Sequence, residues 1–296
     1  CFQALMMSPS GRKLLRLPLD VIELGRYQLH VAYQRDYSSL AYPKTITPPD
    51  DNGTFHSNPW PNGWEDIDPF ESYRSLFDGS VNIYNNNELI FSRGLSQGSE
   101  NIEVMVIHQL PRSQGGGYNC HGMTQKQCDA YYMNNGEDCP GMNDMYEGKE
   151  GYTDPSRYNK DPRPAGVIDA KELEDYPELG SKGAGVSRQY AHREPRFYAS
   201  VGYNGSVWHM LSANEKDNEE HDVQIFYYRG ESDGYQPGTD WLNTGIGIKK
   251  FVHPNDISDI GTGYNISRIE AKAAPDIRYA CLLYTSDAAD ERSSVD

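Results

Sequence analysis

The spacing of apolar and polar residues predicts a β-hairpin close to residue 200. In residues 197–201, FYASV, apolar side chains alternate with more polar ones, which is the period-two pattern of a strand with one buried face. Asn204-Gly205 then supplies two residues that accept a positive φ, so Ser206–Trp208 would return as the second strand. Similar runs predict further strands at Leu89–Ser92, Ile102–His108 and Val223–Tyr228.

Three segments carry the start or stop signals of helices. A helix that starts near Pro18 would end at Gly25, and Asp68 would cap a helix that runs to Phe77. Thr124, with Gln127 three residues later, has the capping-box spacing for a helix that reaches Met133. Long polar stretches rich in proline, glycine or asparagine are predicted to be loops: 42–69, 152–164 and 229–247.

Composition narrows the class of ligand. The net charge of −16 argues against nucleic acid, because phosphate binding needs a basic face, and it favours a neutral or cationic partner. A hydrophobic fraction of 37%, with 28 glycines and 18 prolines, suits a loop-rich exported protein better than a compact enzyme. No run of about 18 apolar residues occurs, so no segment is predicted to span a bilayer.

Five segments resemble motifs of one protein family and follow the family's order along the chain. They are similar to segments of the SusD/RagB family, surface glycan-binding lipoproteins of certain Gram-negative bacteria. Together they cover roughly residues 17–280. The five segments are Asp20–Tyr27, Asn86–Arg93, Thr124–Gly136, Arg193–Trp208 and Pro275–Ala280.

The resemblance implies a mainly α-helical fold with irregular loops and short β-hairpins. Residues 1–45 would be the remnant of a scaffold of TPR-like helical repeats, 46–85 a loop-rich connection, and 86–280 the family's C-terminal region. Residues 281–296 resemble a translated sequencing-adapter peptide and are left out of the fold prediction. Since family members are longer, we expect an internal or C-terminal fragment.

The same resemblance implies a non-catalytic function. The protein would bind oligosaccharides on the extracellular face of the outer membrane and deliver them to a TonB-dependent transporter of the SusC/RagA type. Its membrane contact would be a lipid anchor on the part of the protein that precedes this sequence, and no cofactor is implied. Two alternatives stay open: a peptide-capturing member of the family, and a secreted glycoside hydrolase or esterase.

Aromatic residues on predicted loops are the candidate carbohydrate contacts. An indole or phenol ring stacks on the apolar face of a sugar, while neighbouring amides bond its hydroxyl groups. The alternative is that each tryptophan folds back onto the core, as large aromatic side chains often do. We expect that outcome for Trp208. The candidates are Trp60, Asn62 and Trp64 in one loop, Tyr118 and Asn119 in a second, and Trp241 and Asn243 in a third.

Catalytic motifs give weaker signals. Gly94–Gly98 matches G-x-S-x-G around Ser96, but a nucleophile elbow needs a helix directly after the serine, and a strand is predicted at Ile102. The 43 acidic residues offer many carboxylate pairs, so their number does not indicate a glycosidase. The sequence therefore predicts no catalytic residue.

Apart from Cys1 and Cys281, the chain has three cysteines: Cys120, Cys128 and Cys139. A disulfide between two of them is one possibility for an exported protein, and a small buried core residue is another for Cys128. Zinc ligands usually lie two to four residues apart, so Cys120 next to His121 is a weak metal signal. No metal site is predicted.

Overall fold

A computed structural model of the protein describes twelve stretches of the chain, in which short helices and short strands alternate with irregular segments. The stretches are residues 20–21, 23–33, 67–82, 85–93, 102–113, 117–142, 163–209, 222–238, 241–253, 256–259, 263–265 and 274–278.

Four α-helices have their bounds within the described residues, together with three 3₁₀ turns at Leu173–Asp175, Pro177–Lys182 and Arg188–Tyr190. Further helical residues occur at Asp20, Val21 and Glu23 and at 140–142. The helices are α1 Pro69–Arg74, α2 Ile102–Gln109, α3 Gln125–Asp129 and α4 Pro195–Ser200. The strands are β1 Leu89–Arg93, β2 Val201–Gly202, β3 Ser206–His209, β4 Asp222–Ile225, β5 Gly247–Ile248, β6 Ile257–Asp259, β7 Gly263–Asn265 and β8 Ala274–Arg278.

All sheets among these strands are antiparallel pairs: β1 with β8, β2 with β5, β3 with β4, and β6 with β7. Trp208 lies opposite Val223 in the β3–β4 pair. The β1–β8 pair joins segments far apart in sequence, with Leu89 opposite Arg278. Two-stranded sheets gain little stability alone, so packing against helices and loops must support them.

The predicted strand at residues 197–201 is wrong, because Pro195–Ser200 forms helix α4. Pro195 occupies its first turn, where the missing N–H of proline costs nothing. Phe197, Tyr198, Ala199 and Ser200 are all buried, so the segment lacks the solvent face that its alternation suggested. The return strand is confirmed as β3, but β3 pairs with β4 rather than with β2.

The predicted strand at Ile102–His108 is also wrong, because the segment forms helix α2. Its β-branched residues favour a strand locally. In the fold, Val106 and Leu110 are fully buried one helical turn apart, and this burial outweighs the local preference.

Predictions that rest on capping residues are confirmed. Asp68 accepts a hydrogen bond from the backbone N–H of Glu71 at 2.9 Å, and Thr124 accepts one from Gln127 at 3.2 Å. Both helices end earlier than predicted, α1 at Arg74 rather than Phe77 and α3 at Asp129 rather than Met133. The helical residues before Gly25 end there as predicted, with φ at +61°.

Two hydrophobic cores stabilise the described part of the protein. The first core surrounds α4, where Arg193 is buried and its guanidinium donates to the carbonyl oxygens of Cys128 at 2.8 Å and Tyr131 at 2.6 Å. The second core lies between α2, β3 and β4 and confirms the predicted burial of Trp208. Its buried members are Val106, Ile107, Leu110, Trp208, Ile225, Tyr227, Leu242 and Val252.

The three central cysteines are not joined by a disulfide. Cys128 and Cys139 are buried and Cys120 is exposed. The alternative of a small buried core residue is thus confirmed for Cys128. Among the described residues, none of the helices has the length and apolar character needed to cross a membrane.

Candidate functional site

Two irregular segments meet above the second core and form the candidate site. One is the α2–α3 loop, residues 110–124, and the other is the β4–β5 loop, residues 226–246. The first segment includes the predicted carbohydrate contacts Tyr118 and Asn119, and the second includes Trp241 and Asn243. The third predicted group of contacts, Trp60, Asn62 and Trp64, lies outside the described residues.

A buried carboxylate joins the two loops. Asp233 is 2% exposed and accepts a hydrogen bond from the backbone N–H of Ser113 at 3.1 Å and another from its hydroxyl group. The side-chain amide of Asn119 donates to the backbone oxygen of Asp233 at 2.9 Å. Arg112 donates to the backbone oxygens of Ser232 and Gly234, on either side of Asp233. One aspartate therefore fixes both loops.

The far ends of the loops are also paired. The backbone N–H of Met123 donates to the carbonyl oxygen of Ile246 at 2.7 Å, and Gly122 forms an antiparallel bridge with Gly247. Between the two ends, Leu242 is buried in the second core. The loops are consequently held at three places rather than projecting freely.

Glycines permit the tightest approaches within the loops. A Cβ atom on Gly117 would lie 2.2 Å from the carbonyl oxygen of Leu110, and one on Gly234 would lie 1.9 Å from that of Tyr228. Both distances are far below van der Waals contact. Any larger residue would push the chain away from the position that the hydrogen bonds define.

The fixed loops present aromatic rings to solvent. Tyr118 is 39% exposed and Tyr235 is 42% exposed. Trp241 is half-buried, and the ring of Tyr235 meets it edge-on at a centroid distance of 4.9 Å. Tyr228 is also exposed. Neither tyrosine is among the contacts predicted from the sequence: Tyr235 lies in the same glycine-rich stretch as Trp241, and Tyr228 lies at the end of the predicted strand Val223–Tyr228.

The predicted amide residues occupy different environments. Asn243 is exposed and follows the buried Leu242, so its amide is accessible to a ligand. Asn119 is only 1% exposed, and its backbone has a φ of +48°. The buried Asn119 donates its amide to the backbone oxygen of Asp233, whereas its neighbour Tyr118 is exposed.

The electrostatics of the site favour an uncharged ligand that accepts and donates hydrogen bonds. A hydrogen bond to the Glu231 side chain raises the pKa of Tyr228, so this phenol stays neutral at physiological pH. In the described part of the two loops the carboxylates are Glu231 and Asp233. Both are engaged, with Tyr228 and Ser113 respectively.

A second concave region is lined in part by residues of α1. It is a cleft of about 730 Å³ whose lining includes His30, Glu71, Arg74 and Ser75. These polar groups are bonded to each other: His30 Nε2 lies 2.9 Å from Ser75 Oγ, and Arg74 pairs with Glu71 at 2.7 Å. Burial lowers the pKa of His30, which favours its neutral form. These polar side chains therefore bond to one another within the cleft.

The G-x-S-x-G motif acquires a different setting from the predicted one. Ser96 lies outside the described residues, but β1 before it and α2 after it are both described. The expectation that a strand follows is wrong, yet α2 begins at Ile102, six residues after the serine. In addition, β1 belongs to a two-stranded antiparallel sheet. A nucleophile elbow needs a helix that starts directly after the serine.

Comparison with known proteins identifies the family. The family model described as the SusD family matches residues 84–286, which is more than half of the chain. The chain belongs to the SusD family. None of the curated proteins compared with this SusD-family chain matches it.

Three solved structures are similar to this chain, and the first of them supports a shared fold. The selenomethionine form of BT4246 has a TM-score of 0.54 at 17% identity, and the match covers 93% of this chain and 42% of that one. A SusD-like protein from Bacteroides fragilis has a TM-score of 0.49 at 17% identity, covering 96% and 40% of the two chains. A SusD-like carbohydrate-binding protein from the same species has a TM-score of 0.40 at 17% identity, covering 94% and 35%. This SusD-family chain thus spans about two fifths of the length of its solved relatives.

Proposed function

We propose that this protein binds a neutral oligosaccharide without catalysis on the aromatic surface of its α2–α3 and β4–β5 loops. It would do so at the extracellular face of the outer membrane, as part of a lipid-anchored protein that passes the glycan to a SusC/RagA-type TonB-dependent transporter. The observation that carries the proposal is the exposure of Tyr118 and Tyr235, beside the half-buried Trp241, on two loops that are joined at the buried Asp233.

The physical argument begins with the rings. Aromatic side chains bury large apolar areas, and Tyr and Trp also carry a polar group that can bond a hydroxyl. Trp208 uses its ring in the second core, whereas Tyr118 and Tyr235 leave about two fifths of their surface exposed. Exposed aromatic rings next to an accessible amide, that of Asn243, match a ligand with apolar faces and hydroxyl edges.

The fixation of the loops adds to affinity. Ordering a mobile loop on binding costs free energy, so a surface that is ordered beforehand binds more tightly for the same contacts. The hydrogen bonds of Ser113 and Asn119 to Asp233 provide this order. The net charge of −16 favours a neutral glycan over an acidic one.

Calorimetry of the whole chain against neutral oligosaccharides tests the proposal. For the glycan that binds, Tyr118→Ala, Tyr235→Ala and Trp241→Ala should each lower affinity roughly 5- to 30-fold, which corresponds to about 1–2 kcal/mol. Tyr132→Ala is the matched control, since Tyr132 is 40% exposed but follows α3, outside the two loops. Trp60→Ala and Trp64→Ala test the predicted contacts outside the described residues.

Three results would contradict the proposal. Unchanged affinity in all three loop variants would remove the surface, and binding of peptides instead of glycans would support the peptide-capturing alternative. Turnover of the glycan that Ser96→Ala or a single carboxylate substitution abolishes would show a hydrolase. The transporter step predicts a gene for a large TonB-dependent barrel beside the gene of this protein, and its absence would contradict that step.

A further inference from the structure

Three side chains that commonly bind metals converge where α2 ends. They are His108 on the last turn of α2, and Cys120 and His121 on the α2–α3 loop. The potential ligand atoms of this His–Cys–His cluster all lie within 4.8 Å of one another. Neither the carbohydrate surface nor the two cores require this combination of residues.

The backbone builds the cluster. The N–H groups of Cys120 and His121 both donate to the carbonyl oxygen of His108, at 3.0 and 3.1 Å. Just before them, the N–H of Tyr118 donates to the carbonyl oxygen of Ile107 at 2.9 Å. The last carbonyl groups of a helix lack partners within the helix, and this loop satisfies two of them. The three side chains are therefore neighbours because the loop caps the helix.

The support below the cluster is rigid. Ile107 is buried in the second core beside His108, and Asn119 is locked by its bond to Asp233 beside Cys120. Cys120 is exposed, while His108 and His121 are half-buried, so an ion can enter from solvent. A ligand set on such a base needs no large rearrangement to close on a metal.

The chemistry of the donors selects the metal. Two imidazoles and one thiolate are a borderline-soft set that suits Zn²⁺ and does not suit Ca²⁺ or Mg²⁺. Zinc bonds of about 2.0–2.3 Å place the donor atoms of a tetrahedral site roughly 3.3–3.6 Å apart. The potential ligand atoms of the cluster, which lie within 4.8 Å of one another, would have to move closer together to reach this spacing.

We propose that His108, Cys120 and His121 form a zinc site with a fourth position open to water or a ligand. Bound zinc cross-links the end of α2 to the α2–α3 loop, and so fixes Tyr118, whose ring lies 5.2 Å from that of His108. The site does not depend on the glycan-binding proposal, since metal binding is measured without any sugar.

The sequence did not reveal this site because its ligands do not follow a zinc motif. Cys120 and His121 are adjacent, and the missing ligand lies twelve positions before Cys120. The segment that contains His108 is predicted to be a strand, and a strand gives its side chains different positions from those of a helix. The competing explanation is ring packing: His108 also meets His121 edge-on, with centroids 4.9 Å apart.

Metal titration of the whole chain distinguishes the two explanations. With thiols reduced and at neutral pH, calorimetry should show tight binding of one Zn²⁺ at this site. Co²⁺ should bind in its place and produce a near-ultraviolet thiolate-to-cobalt charge-transfer band. His108→Ala, Cys120→Ser and His121→Gln should each weaken Zn²⁺ affinity by about 100-fold or more, because losing mere outer-shell partners already costs about 10- to 100-fold.

The control is His192→Asn. His192 lies near Glu178, away from the His–Cys–His cluster, and asparagine tolerates its positive φ of 54°. This variant should bind Zn²⁺ as the wild type does. Cys120→Ser changes a single atom at an exposed position, so it carries the test even where His108→Ala reduces stability.

Several outcomes would overturn the proposal. These are the absence of Zn²⁺ binding, affinity unchanged by Cys120→Ser, a cobalt complex without the charge-transfer band, or equal loss of affinity in His192→Asn. Ring packing alone predicts the first of these results, together with near-ultraviolet circular dichroism that does not respond to Zn²⁺.

Discussion

At the scale of single residues, burial decides which cysteine can react. Cys128 is buried in the first core, and burial raises the pKa of its thiol to about 12. Burial also raises the pKa of Cys139, whereas Cys120 is exposed on the α2–α3 loop. The structure thus separates two inert thiols from one accessible thiol, which is the one assigned to zinc.

The raised pKa of Cys128 predicts a loss of stability in alkali. Below about pH 9 the thiol is protonated in both the folded and the unfolded chain. Above that pH the unfolded chain ionises first, so the free energy of unfolding falls until the folded thiol also ionises near pH 12. Between about pH 9 and about pH 11, ionisation of Cys128 should lower the free energy of unfolding by about 2–3 kcal/mol.

Urea unfolding followed by circular dichroism measures the effect. Buried tyrosines also ionise in this range, so the informative quantity is the difference between variants. The free energy of unfolding of Cys128→Ala should fall less steeply with pH than that of the wild type, and that of Cys120→Ala should follow the wild type. Parallel pH curves for Cys128→Ala and the wild type would contradict the assignment.

At the scale of elements, capping residues predicted where helices start, whereas β-branched and alternating patterns did not distinguish helices from strands. The starts of α1 and α3 follow from Asp68 and Thr124, because a capping side chain acts within its own turn. Helices α2 and α4 were predicted as strands, since their β-branched or alternating residues favour strands until the cores bury them. Such elements are decided by contacts that one segment does not encode.

The joining of the two loops gives a prediction at this scale. Gly234→Ala would bring a Cβ within 1.9 Å of the carbonyl oxygen of Tyr228 and displace the neighbouring Asp233. Glycan affinity and thermal stability should both fall, although Gly234 is buried and has no side chain to offer a ligand. Gly238→Ala is the control, because nothing lies within 4 Å of its Cβ position and it adds only the strain of its φ of +78°, about 1–2 kcal/mol.

Calorimetry and a thermal melt of the two alanine variants check this prediction. The account expects Gly234→Ala to lose clearly more affinity than Gly238→Ala. Equal glycan affinity in both would show that the loop positions do not matter to binding.

At the scale of the whole molecule, the order of motifs revealed more than any single element. Five short segments in the right order indicated the family, and the match to residues 84–286 confirms it. The solved relatives confirm a shared fold in the described part, while the predicted helical repeats of residues 1–45 stay a prediction.

The site was only partly predictable. Tyr118, Trp241 and Asn243 follow from the rule that exposed aromatics and amides on loops bind sugars. Their association does not follow, because Ser113 and Asp233 are 120 residues apart in sequence and meet only in the folded chain.

Hydrogen–deuterium exchange with mass spectrometry, with and without the bound oligosaccharide, would show whether the glycan lies on the α2–α3 and β4–β5 loops. The account predicts slower exchange in residues 117–121 and 228–245 when glycan is added, with the glycan recovered intact. Protection confined to the His30–Arg74 cleft, or recovery of a cleaved glycan, would contradict it.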